Sequence, residues 1–167
     1  MNLDRISTLE PEWAALVETI AAMITLAPEY VVIQTYSATG EEDGPYIQTL
    51  QESDGALTLE AVSDSFIPGI VVPDALNTLH ELGWSDPEEY GLPNYSIFLE
   101  SEDVHPGDVA AFLVLTLRDA YSITTSHRFE CAPMELFVQV VHGEFGQAPG
   151  LTFTPFDISE WRKRHGS

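Results

Sequence analysis

The sequence predicts an α+β protein: an N-terminal helix, a three-stranded antiparallel meander, a short helix, a further strand and a long helix packed on the sheet. Three observations carry that prediction. Apolar residues recur at helical spacing in two long segments, runs rich in β-branched and aromatic residues lie between them, and turn residues separate those runs. At 167 residues, 44% of them hydrophobic, the chain is long enough for one sizeable core and short for two domains with a linker.

Trp13, Leu16, Val17, Ile20, Ala21 and Ile24 form one stripe of an amphipathic helix over 10–25. Pro11 suits its first turn, Thr8 is a candidate cap, Glu10 and Glu12 favour its positive end, and Pro28 stops it. Tyr30 to Ser37 reads as a strand, followed by a polar turn and a second strand from Tyr46 to Glu52. Asp54-Gly55 then predicts a hairpin with a primed turn into Ala56–Val62, because such turns need positive φ. Leu76, Leu79 and Leu82 space a short helix that Gly83 ends in the left-handed conformation, with Trp84 folding back on Leu79. Asn94 to Glu100 reads as a fourth strand. The broad stripe of Val109, Phe112, Leu113, Thr116, Leu117, Ala120 and Tyr121 gives a long helix over 106–123 that crosses the sheet. Residues 129–141 fit strand and helix equally by period. The domain is expected to span 1–160, with 161–167 a disordered basic tail.

Charge narrows function. The chain has 27 Asp and Glu against 6 Lys and Arg, a formal net charge of −21. Nucleic-acid binding, which rests on cationic side chains releasing counterions, is not expected, nor is attachment to anionic membranes. Such acidity speeds encounter with basic partners, and it also serves plain solubility in a host with an acidic proteome. No run approaches the roughly 18 apolar residues of a membrane span, and no signal-like segment opens the chain. With Cys131 the lone cysteine, no disulfide forms within the chain, and a soluble cytoplasmic protein is expected.

Leu79 to Asn94 reads LHELGWSDPEEYGLPN. A leucine-ended helix closed by Leu82-Gly83-Trp84, then Pro87, then Pro93-Asn94 opening a strand, resembles a signature of the actinobacterial branch of YbjN-like and type III secretion chaperone-like proteins. The segment Thr116-Leu117-Arg118-Asp119 is similar to a helix of that group, and the order of elements from Trp13 to Ile123 resembles its fold. After Thr124 the sequence departs from the pattern. The resemblance implies a small, acidic, cytosolic, non-catalytic protein, often a homodimer, that holds a partner polypeptide.

Read physically, Gly83 permits the left-handed cap, Trp84 closes over the helix end, and Pro87 and Pro93 direct the chain into the strand. Leu82, Gly83, Trp84, Pro87 and Asn94 thus read first as a corner that defines the fold, with a direct partner-binding role as the alternative. The acids Glu88 and Glu89 beside Tyr90 form an acidic, aromatic corner, read first as an ordinary exposed loop and second as a receiver for a basic or amphipathic segment.

Catalytic patterns are thin. His80, His105, His127, His142 and His165 match no zinc-ligand spacing, and no HExxH, CxxC, serine elbow or phosphate-binding glycine loop occurs. Cys131 with His127 or His142 is the one candidate nucleophile pair, weighed against a buried apolar cysteine. Glu41-Glu42-Asp43 lacks the alternation of a calcium loop and reads as a solvated turn. Arg118 is expected to pair with an acid across the fold. No enzyme activity, cofactor or metal is therefore expected. The leading expectation is a chaperone-like protein-binding module, and the rival is an acidic neutraliser of a basic toxin or nuclease, steered by charge.

Overall fold

The computed structural model describes residues 1–37, 39, 43–141, 146–148 and 151–165, with backbone alone for 146–148. Among these residues five α-helices and seven strands follow in the order α1 (Ala14–Thr25), β1 (Tyr30–Tyr36), β2 (Asp43–Gln51), β3 (Leu57–Ala61), α2 (Pro73–Leu82), β4 (Tyr95–Leu99), α3 (Pro106–Asp119), β5 (Arg128–Ala132), α4 (Met134–Val141), β6 (Gly146–Ala148), β7 (Leu151–Pro155) and α5 (Ile158–His165). The architecture is α+β, as the residue patterns predict, with one sheet ordered β4-β3-β2-β1-β5-β7-β6.

Strand alternation splits the sheet into two unlike faces. On one face a row runs from Tyr95 through Ala61, Ile47 and Ile33 to Cys131. This face, with Leu59, Phe129 and Phe153, packs under α1, α3 and α4 and forms the core. Edge-to-face pairs fasten it: Trp13 on Phe129 at 5.8 Å and Phe137 on Phe153 at 6.0 Å between ring centres. The opposite face is polar: Ser96, Glu60, Gln48 and Val32 form one row, and Tyr46, Gln34 and Glu130 the next.

Local chemistry accounts for the elements. Helix α1 is preceded by a 3-10 turn at Pro11–Trp13, where the Trp13 indole donates to Glu10 at 3.0 Å. Thr8 does not cap it. Arg118 reaches back from α3 to donate to the Thr8 carbonyl (2.8 Å) and hydroxyl (2.7 Å) and to pair with Glu10 and Asp119, so Thr8 anchors the N-terminal segment instead. The meander hairpin forms as expected, but its turn is not a primed one. Gly55 is the residue of that turn with positive φ, 91°, and the Gly55 amide donates to Glu52. One left-handed residue after a tight turn closes a three-residue hairpin loop. Between β1 and β2 the register shifts after Gln34, and a Cβ on Gly44 would meet the Thr35 hydroxyl at 2.6 Å, so the bulge needs glycine there.

The C-terminal third resolves two expectations. Residues 129–141 are both elements: β5 ends at Ala132, a cis peptide joins it to Pro133, and α4 begins at Met134. Strand β7 then pairs parallel with β5, the helical crossover between them lying on the core face. Residues 161–165 of the expected disordered tail form the end of α5, and the expected boundary at 160 falls inside that helix. Trp161 is 2% exposed, and its indole donates to Gln34 of β1 at 2.8 Å. A single tryptophan among basic residues carries no periodic signal, because its apolar partners are Tyr46, far off in the chain, and Phe156, which precedes the helix. The polar turn at 40–42, and with it Glu41 and Glu42, lies outside the described residues, as does His142.

Candidate functional site

The two sides of the sheet are covered unequally, and the site follows from that. Helices α1, α3 and α4 close the core face, whereas the polar face receives α5 across β1 and β2 and a loop across β3. Between them lies a groove of about 340 Å³. Its floor is Val32 of β1, Tyr46, Gln48 and Leu50 of β2, and Glu60 of β3. Phe66, Pro93 and Asn94 form one wall, and Ile158, Trp161, Arg162 and His165 of α5 the other. A wider depression of about 840 Å³ adjoins it, and Tyr30, Leu50 and Arg162 line both.

Glu60 is the one carboxylate on the groove floor and is 5% exposed. Gln48 donates to one of its oxygens at 3.0 Å and Asn94 to the other at 3.4 Å. Asn94 is itself held, its side-chain oxygen accepting from the Ser63 amide at 3.0 Å while the Ser63 hydroxyl donates to the Pro93 carbonyl at 2.7 Å. Burial pushes the Glu60 pKa above the ordinary carboxylate range, against the two amide hydrogen bonds, which lower it. The other wall is aromatic. Tyr46 and Trp161 meet edge to face at 4.9 Å, His165 tilts against Trp161 at 4.7 Å, and the Arg162 guanidinium lies 5.1 Å over the Tyr30 ring. Burial lowers the His165 pKa, with Asp43, 3.7 Å away, opposing.

The corner expected from Leu82 to Asn94 divides between three places. Gly83, at φ 97°, and Trp84 complete a left-handed helix end, their amides donating to the carbonyls of His80 and Leu79. Leu82 is buried, and Trp84 stacks on Phe112 at 5.6 Å while its indole donates to the Thr116 hydroxyl at 3.2 Å. Pro87, Glu88, Glu89 and Tyr90 form a surface loop, with Tyr90 58% exposed and edge-on to Phe98 at 5.4 Å. Asn94, with its neighbour Pro93, reaches the groove. Sequence reasoning missed Glu60, because Thr58 and Glu60 alternate with Leu57 and Leu59 as the solvent side of a strand would. It also missed Trp161.

Cys131 is fully buried, and burial raises its thiol to about 12, which leaves it a packing group at neutral pH. His127 turns its Nδ1 to accept from the Thr124 amide at 3.0 Å. Among the described residues no cluster of His, Cys, Asp and Glu is placed to hold a metal ion, and no helix is long and apolar enough to cross a membrane.

Residues 7–132 match the family described as T3SS (YopN, CesT) and YbjN peptide-binding chaperone 3, TY-Chap3. The chain belongs to this family. No curated protein and no solved structure matches it significantly. The match ends at β5, so α4, β6, β7 and α5 lie beyond it, and with them the helical wall of the groove.

Proposed function

We propose that this member of the family is a non-catalytic, chaperone-like protein that holds a polypeptide segment along its free sheet face. The observation that carries the reading is the groove between α5 and the Phe66 and Pro93–Asn94 wall, continuous through Tyr30 and Leu50 with the depression beside it. Along β2, the stretch from Gln48 to Gln51, beyond Tyr46, which Trp161 covers, measures roughly 13 Å at about 3.3 Å per residue, room for an extended segment of some four residues. Aromatic rings and amide side chains suit such a guest, because they offer apolar area and hydrogen bonds without demanding one sequence. The preferred guest is basic or amphipathic. Net charge favours its approach, and the chain lays its own basic helix, with Arg162, Lys163 and Arg164, on the same face. Residence in the cytoplasm is consistent with this role.

Panning a display library of short peptides over the immobilised protein tests the reading. Peptides should be selected, compete with one another, and lose most of their affinity for Phe66→Asp, which places a charge in the groove wall. Selected peptides that bind Phe66→Asp and the parent equally would place binding elsewhere.

A further inference from the structure

We infer that Glu60 reads a basic side chain, lysine or arginine, of the bound polypeptide; this rests on the groove as the binding site and names what the groove selects. The carboxylate is almost wholly buried, and its two hydrogen-bond donors, Gln48 and Asn94, are neutral. Among the described residues no Lys, Arg or His approaches it within 4 Å. Buried carboxylates in folded proteins are ordinarily paired with a cation, since desolvation otherwise works against the charge. Here the guanidinium of the opposite wall, Arg162, lies over Tyr30, and His165, whose pKa burial lowers, stands 3.7 Å from Asp43.

The arrangement is also oriented. The Ser63 amide fixes the Asn94 side chain by its oxygen, which directs the Asn94 nitrogen at Glu60 and holds the carboxylate toward the groove. Tyr46 and Phe66 line the same space, and aromatic rings beside a carboxylate favour a cation on a long alkyl stem, whose stem packs on the rings while its head reaches the charge. A cavity of about 340 Å³ has room for such a side chain. Guanidinium would engage both oxygens in a forked pair, so arginine is favoured over lysine.

The test compares peptides selected by the parent protein with those selected by Glu60→Gln, which keeps size and one acceptor oxygen for the neighbouring amides and drops the charge. Parent selections should concentrate Arg or Lys at one register, and Glu60→Gln selections should not. A selected peptide resynthesised with citrulline for that arginine should bind the parent about tenfold more weakly, the scale of one charge-assisted hydrogen bond. The same change should cost less than about twofold on Glu60→Gln. The citrulline exchange alters the ligand alone, so it holds even if Glu60→Gln folds poorly. Groove-bound peptides without a basic register, or a citrulline loss equal on both proteins, would overturn the role of Glu60 and leave the groove standing. Selected peptides indifferent to Phe66→Asp would remove the groove reading, and this inference with it.

Discussion

Glu60 shows how one residue's surroundings reverse the behaviour expected of it. Its raised pKa means that the folded chain keeps a proton which the unfolded chain has already released. From the ordinary glutamate value of about 4.3 up to the raised folded value, stability therefore falls as pH rises. Glu60→Gln should unfold at a higher denaturant concentration than the parent at pH 7, and the gap should close by about pH 4, where both states hold the proton. An equal gap at both pH values would show that the charge costs nothing. Gly83 is a second residue where geometry decides. A Cβ at φ 97° is strained and would also stand 3.2 Å from the Met1 nitrogen, so Gly83→Ala should lower stability by about 1 kcal/mol or more in thermal melts. Cys131, buried and with its thiol raised to about 12, should react with Ellman's reagent only at the rate of unfolding.

Among the elements, α5 owes most to contacts distant in the chain. Its basic turn has no apolar stripe, and it docks through Trp161, whose indole meets Gln34 127 positions away. Trp161→Ala should destabilise the protein by about 3–5 kcal/mol, the usual cost of emptying a buried aromatic site. Trp161→Phe keeps most of the packing and loses the hydrogen bond, and should cost about 1–3 kcal/mol because the Gln34 oxygen is left buried without its donor. If both substitutions act within about 0.5 kcal/mol, α5 is not a structural part of the face. Helix α2 is the contrasting case. Its leucine spacing, Gly83 and Trp84 are consecutive in sequence, so both the helix and its left-handed end were legible from local chemistry. The segment 129–141 defeated period analysis for a simple reason: it holds two elements, and a window spanning the Ala132-Pro133 junction mixes their periods.

At the scale of the whole molecule, charge is unevenly answered. With 27 acids and 6 basic residues, like charges repel across a compact body, and salt should relieve that repulsion. The melting temperature should rise between about 10 and 300 mM sodium chloride, as the Debye length falls from about 30 Å to about 6 Å. A flat or falling trend would mean that local ion pairs such as Arg118 with Glu10 and Asp119 outweigh the net repulsion. The groove belongs to this scale as well. It exists because α1, α3 and α4 crowd one face of the sheet and leave the other to a single short helix and a loop.

By itself the sequence determined the α+β class, the meander, the helix that Gly83 ends, and the acidic character of the surface. Each of these is set by neighbours within a few residues or by composition. The tertiary structure decided the rest: that Glu60 is buried, that Asn94 rather than Tyr90 joins the groove, and that the terminal helix is docked. Those outcomes depend on pairings such as Glu60 with Asn94 and Gln34 with Trp161, separated by 34 and 127 positions. Alternation along a strand tells which side chains share a face. Only the packing of distant segments tells which of the two faces is closed.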